Sequence, residues 1–234
     1  MNKTTILPKQ APLTGVYVGV AVILCWGAML GFDFFWEVTW TSPVTYLLVL
    51  LQTHLFTGLF ITAHDAMHGT VAPQNAKLNH LIGKICTGLF IFNSYKILRP
   101  KHYLHHRHVA SEDDPDYHNG HPAFWRWYLD FVKEYVTWWQ ILFAAITFNV
   151  LGIWIPQENL ILYWVIPSIL STLQLFYFGT YLPHRGEHDP ENEHRARSLE
   201  KNHLWAFVSC YFFGYHYEHH DSPATAWWRL WRLK

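Results

Sequence analysis

The sequence is short of charge. Asp, Glu, Lys and Arg make up 15% of its 234 residues, against roughly 25% in a soluble globular domain. The 17 basic and 17 acidic residues cancel, so the excess positive charge of a nucleic-acid binder is missing and no nucleic-acid partner is expected. Cysteine is scarce as well. Cys25, Cys86 and Cys210 are odd in number, far apart and set among apolar residues, which excludes a disulfide framework and a thiolate zinc site. The long apolar segments carry none of the glutamates of a carboxylate-bridged di-metal bundle. There is no internal repeat, low-complexity tract or flexible linker, so residues 1–234 are expected to form one domain.

What the chain has instead is apolar length. Hydrophobic residues make up 51% and aromatics 18%. About 20 apolar residues cross a ~30 Å hydrocarbon core, and four stretches qualify as spans: residues 14–36, 44–63, 135–155 and 160–181. The first is long and has no small-residue cleavage pattern after it, so it reads as a retained span rather than a signal peptide. Pro167 is expected to kink the fourth. Residues 78–98 are apolar but interrupted by Lys84, Asn93, Ser94 and Lys96, and read as a re-entrant or interfacial helix. The expected fold is an all-α integral membrane protein with four transmembrane helices. With the N-terminus in the cytoplasm, both termini and the histidine regions 64–130 and 183–234 are cytoplasmic. All 17 Lys and Arg residues then lie in or beside inner segments, as the positive-inside bias requires, and Trp36, Trp40 and Trp154 fall at the outer ends of spans. A bacterial inner or internal membrane is the expected location.

Histidine, at 17 residues, is the anomaly. Positions i, i+3 and i+4 share one face of a helix. His64 and His68 are i and i+4; His102, His105 and His106 are i, i+3 and i+4; His216, His219 and His220 repeat that spacing. Pro100 suits an early helical position before the second run. All three runs fall on the same expected membrane face. Clustered imidazoles repel when protonated and offer little apolar area, so packing is a poor explanation for three such runs. Eight imidazoles exceed the needs of one ion and suit two, with positions left open for a small molecule. An all-nitrogen site of this kind points to zinc or to an iron pair that activates dioxygen.

The runs HxxxH, HxxHH and HxxHH across four spans resemble the membrane fatty-acid desaturase and hydroxylase superfamily. HDAMHGTVAP (64–73), HHRH followed by DDPDYH (105–118), GTYLPHR (179–185), and FGYHYEHH with PATAWWRL (213–230) are similar, more narrowly, to bacterial β-carotene 4-ketolases. The resemblance implies two non-haem iron ions, O2 as co-substrate and an external reductant such as reduced ferredoxin. The implied reaction hydroxylates C4 of a β-ionone ring twice and loses water to leave a ketone, from β-carotene to echinenone to canthaxanthin. It also implies His184, directly after the fourth span, as a ninth metal ligand.

Other polar residues are read more plainly. Asp65 is a candidate acceptor for a spare imidazole N–H, or an interfacial charge; Asp113, Asp114, Asp116 and His118 are open to either part. His108 lies about 240° round a continuous helix from His102 and is expected to support the site rather than ligate. His54 is expected to hydrogen-bond between helices, and His188, His194 and His203 to lie at the surface. The basic tail (Arg195, Arg197, Lys201, Arg229, Arg232, Lys234) suits anionic lipid, or an acidic ferredoxin. Two rival functions stand beside the ketolase. One is a related di-iron enzyme: a carotenoid 3-hydroxylase, fatty-acid desaturase or alkane hydroxylase. The other is a non-redox metal-binding or transport protein, disfavoured because transport sites sit near the membrane midplane.

Overall fold

The computed structural model describes residue 11 and residues 13–234, and these form helices with no strand among them. Helix α1 (Thr14–Phe34) and helix α2 (Pro43–Met67) follow from largely apolar sequence, interrupted in α2 by Gln52, Thr53 and His54, and Ser42 caps α2 by accepting the Val44 N–H, with Pro43 at the first helical position. At 25 residues α2 is about 37 Å long and forms the centre of the bundle, with α1 and the later helices packed around it. Among the described residues three helices are long and apolar enough to cross a membrane: α1, α2 and the helix Gln157–His184.

The segment 78–98 is a hairpin rather than one helix. Helix α3 (Ala76–Leu89) and helix α4 (Tyr95–Arg107) are joined by a turn in which Ile91 and Phe92 take positive φ. The hairpin is bolted to the end of α2. Asn79 Nδ2 and Tyr95 Oη both donate to the Ala66 carbonyl, at 2.7 Å each, and Tyr103 Oη donates to the Met67 carbonyl at 2.7 Å. Because α4 begins at Tyr95, Pro100 lies inside the helix and not at its start, which corrects the expectation.

The stretch 135–155, expected as the third span, is not one continuous helix. Tyr135 ends helix α5 (Phe124–Tyr135). Thr137 and Gln140 then form a reciprocal capping box that restarts the chain as helix α6 (Trp138–Leu151), only 14 residues and about 21 Å long. Its side chains are exposed nearly all round, Gln140 alone being buried. Helix α7 (Gln157–His184) contains two π-helical turns, Ile161–Val165 and Tyr177–Tyr181. Pro167 sits just after the first, where the wider turn accommodates its missing N–H. Asn159 Nδ2 donates to the Asp33 and Trp36 carbonyls, fixing the start of α7 to the end of α1. Helix α8 (His203–Cys210), helix α9 (His216–Asp221) and helix α10 (Trp227–Leu230) complete the chain.

Gly83 is where α3 passes closest to the hairpin's own anchor. A Cβ there would lie 2.4 Å from the Tyr95 ring and 2.9 Å from Ala66 Cβ. Gly83→Ala is therefore expected to cost roughly 1–3 kcal/mol, read as a lowered Tm of the detergent-solubilised protein, whereas Gly88→Ala, with open space at its Cβ, should leave Tm unchanged or raise it.

Candidate metal centre

The ends of α2, α4, α7 and α9 meet at one end of the bundle, and there nine imidazoles form two groups. His64 and His68 from α2, His102 and His106 from α4, and His219 from α9 make the first; His105 from α4, His184 from α7, and His216 and His220 from α9 make the second. Within each group the ligating atoms lie within 4.8 Å of one another. The i, i+4 pairs stay together and the i+3 residue of each triad turns to the other group, so α4 and α9 each serve both.

Within each group the ring nitrogens approach one another closely. Nε2 to Nε2 distances are 2.6 Å for His68 and His102, 3.1 Å for His106 and His219, 3.2 Å for His105 and His220, and 3.0 Å for His216 and His220. Two imidazoles bound at ~2.1 Å to one ion, at right angles to tetrahedral angles, stand about 3.0–3.4 Å apart. His220 has two such neighbours, and one N–H cannot point at both. His64 Nε2 and His184 Nε2 are buried with no hydrogen-bond partner among the described residues, a costly state for a polar atom unless an ion takes the lone pair. The donor set, nitrogen throughout, fits zinc, iron, copper or nickel.

Electrostatics keeps most of these rings neutral, the form that binds metal. Burial, and then the neighbouring imidazoles, hold His102, His216, His219 and His220 well below the ordinary histidine range. Burial brings His68 down to about 4, and burial followed by His68 and the other rings brings His106 down to about 2. At His105, burial is outweighed by the Asp116 carboxylate and the hydrogen bond to Asp114, and its pKa is raised. His105 Nδ1 donates to both oxygens of Asp114, at 2.9 and 3.0 Å. Asp114 is held in turn by the backbone N–H groups of Ala110 and Asp116, at 2.9 Å each. On the other side His184 Nδ1 donates to the Arg195 carbonyl at 2.8 Å. Both bonds leave Nε2 facing the group, the usual outer support of a metal-bound histidine.

Asp65 is buried; one oxygen is 3.4 Å from His64 Nδ1 and the other accepts the Trp227 N–H at 2.8 Å, tying α10 to the end of α2. His108 caps the end of α4 and belongs to neither group, while the hydrogen bond that supports His105 comes from Asp114. Asp116 lies 3.8 Å from His105 Nδ1 and accepts the Tyr135 hydroxyl proton. His54 makes no hydrogen bond through Nδ1; it stacks on Tyr211, with ring centroids 4.2 Å apart, so it packs between helices instead. His188, His194 and His203 are half-buried rather than at the surface, and His203 Nδ1 pairs with Tyr215 Oη at 3.0 Å.

An apolar cavity of about 630 Å³ runs between α2, the α3–α4 turn and α5 to α7. Phe60, Phe90, Phe131 and Leu175 are among its walls, and it ends on His64, His102, His105 and His216, which come from both groups. Phe213 lies across the inner end, its ring centroid 4.8 Å from that of His64 and 5.0 Å from that of His216.

The fatty acid desaturase family model matches residues 39–138 and 132–234. Among curated relatives, the beta-carotene ketolase of Haematococcus lacustris is 41% identical over 186 residues, 75% of this chain and 58% of that protein. The zeaxanthin 4-ketolase of Chlamydomonas reinhardtii is 36% identical, covering 95% of this chain and 54% of that protein. The beta-carotene ketolase of a Paracoccus species is 36% identical, covering 96% and 94%. The chain thus spans a little over half the length of the two algal relatives and nearly all of the bacterial one.

Removing the Asp114 carboxylate frees His105 to rotate. Asp114→Ala is expected to weaken metal binding about 10–100-fold, measured by chelator competition on the purified protein, while His108→Ala leaves it unchanged. Equal affinities in the two variants would contradict the roles drawn from these contacts.

Proposed function

The chain belongs to the fatty acid desaturase family, and from that premise we propose that it is an O2-dependent membrane oxygenase converting the C4 methylene of β-ionone rings to a ketone, from β-carotene through echinenone to canthaxanthin. The observation that carries this reading is the apolar cavity ending on imidazoles of both groups. A substrate soluble only in the bilayer needs such a passage, and its reacting carbon must reach the metals. The names of the ketolase relatives support the choice of substrate.

The nine histidines are the proposed ligands: His64, His68, His102, His106 and His219 for one iron, and His105, His184, His216 and His220 for the other. When bound, this non-haem pair supplies the oxidising power that, with O2 and two electrons from an external donor such as reduced ferredoxin, replaces C–H by C–OH. The chain's own contribution is placement. Asp114 and the Arg195 carbonyl keep two imidazoles facing inward, and the apolar cavity holds the ring and excludes water. Phe213 shields the rings beside it. A second hydroxylation at the same carbon gives a geminal diol, which loses water to the ketone.

The proposed topology has four crossings, with the metal end, the electron donor and both termini on the cytoplasmic side. Tyr135, bonded to Asp116, stands at the metal end, and Asn159, bonded to the end of α1, stands at the other. The 14 residues of α6 and the turn after it must therefore carry the chain between them. In the proposed topology α6 is the third crossing in chain order, in spite of its length.

Cells that accumulate β-carotene decide the matter. Expression of the protein is expected to convert it to echinenone and canthaxanthin; unconverted pigment, or zeaxanthin alone, would overturn the assignment. His105→Ala and His219→Ala should each abolish ketone formation, and His108→Ala should retain it.

A further inference from the structure

Threonines inside this bundle commonly spend their hydroxyl proton on their own helix. Thr53, Thr57, Thr87 and Thr172 each donate to the carbonyl four residues earlier. Thr180 does not. It sits in the second π-helical turn of α7, where the hydrogen bonding is offset by a residue and Leu182 N–H reaches back to the Tyr177 carbonyl. Its side chain is buried, at 3% exposed, and it lines the cavity with no hydrogen-bond partner among the described residues. Its neighbour Gly179 fixes its depth. A Cβ on Gly179 would lie 2.4 Å from the Phe213 ring, which in turn covers His64 and His216. Thr180 is also one helical turn before His184. A free hydroxyl therefore stands at the metal end of an otherwise largely apolar chamber.

A ketolase has a retention problem at that place. Each oxidation takes one O2, two electrons and two protons; one oxygen atom becomes the C–OH and the other leaves as water. The first product is an alcohol, whose new hydroxyl is disfavoured in an apolar cavity and better solvated at the membrane surface. Ketone forms only if that alcohol presents the same carbon a second time. We propose that Thr180 is a specificity-determining residue that hydrogen-bonds the oxygen installed at C4 and holds the alcohol for the second oxidation. This rests on the ketolase reading above. The π-helical turn is what keeps the hydroxyl free for that bond.

One neutral hydrogen bond is worth about tenfold in relative binding. In β-carotene-accumulating cells, Thr180→Val is expected to raise the ratio of 4-hydroxy to 4-keto products by about tenfold over the parent, and Thr180→Ser to restore the parental ratio. Binding gives a readout independent of turnover. Tryptophan quenching of the purified protein should show 4-hydroxy-β-ionone bound about tenfold more tightly than β-ionone, with the difference lost in Thr180→Val. A parental product ratio in Thr180→Val, or an unchanged preference for the hydroxylated ring, overturns the proposal. So does a Thr180→Val protein that keeps its metal but makes neither alcohol nor ketone, since the hydroxyl would then be needed for the first oxidation too. Where Val reduces the amount of folded protein, Thr180→Ala is read in its place against the same outcomes. A parent protein that oxygenates no β-carotene would instead sink the ketolase reading, and this inference with it.

Discussion

Helix α2 ends inside the protein, and the carbonyls of its last turn have no helical partner left to accept from. Asn79, Tyr95 and Tyr103 supply the missing donors at Ala66 and Met67. This bonding sets the rest. It fixes the α3–α4 hairpin against α2 to within a hydrogen-bond length, so that His64 and His68 meet His102 and His106 at lone-pair distance rather than several ångströms away. The same turn carries Asp65, whose carboxylate takes the Trp227 N–H and brings the C-terminal segment onto the centre. A helix end that would ordinarily be wasted on solvent has become the reference point for three other elements.

The centre itself is a compromise between burial and charge. Imidazoles packed this tightly in the absence of water must be neutral, and burial with mutual repulsion holds most of them so. Neutral rings are free to rotate, however, and rotation would point the wrong nitrogen inward. The protein anchors His105 through Asp114 and His184 through the Arg195 carbonyl, both in the second group. The first group is steadied by the hairpin bonding instead. The two halves are thus kept in register by different means, one by side-chain support and one by helix placement.

Much of this was legible in the chain. Histidine spacing alone names eight of the nine converging rings, because a helix converts spacing into direction without help from the fold. His184 stands alone, has no partner at helical spacing, and came only from the resemblance. The hairpin was hidden because its turn uses Ile91 and Phe92 at positive φ, residues that look like helix or strand rather than a stop. The start of α6 is not legible, because its capping box, Thr137 with Gln140, lies within an apolar run. The part played by Asp114 depends on the chain folding back after His108, which residue spacing does not show. His54 carries a polar group in the middle of a span, yet stacking on Tyr211 rather than hydrogen bonding accounts for its place.

Helices α4 and α9 each send i, i+4 residues to one group and the i+3 residue to the other. No carboxylate belongs to either group among the described residues. The gap between the two halves is then gauged by the helices themselves, by a rise of about 1.5 Å and a rotation of about 100° per residue. Such a spacer is stiff and carries no charge of its own. It sets the separation of the two groups of imidazoles with no side chain of the described residues bridging them.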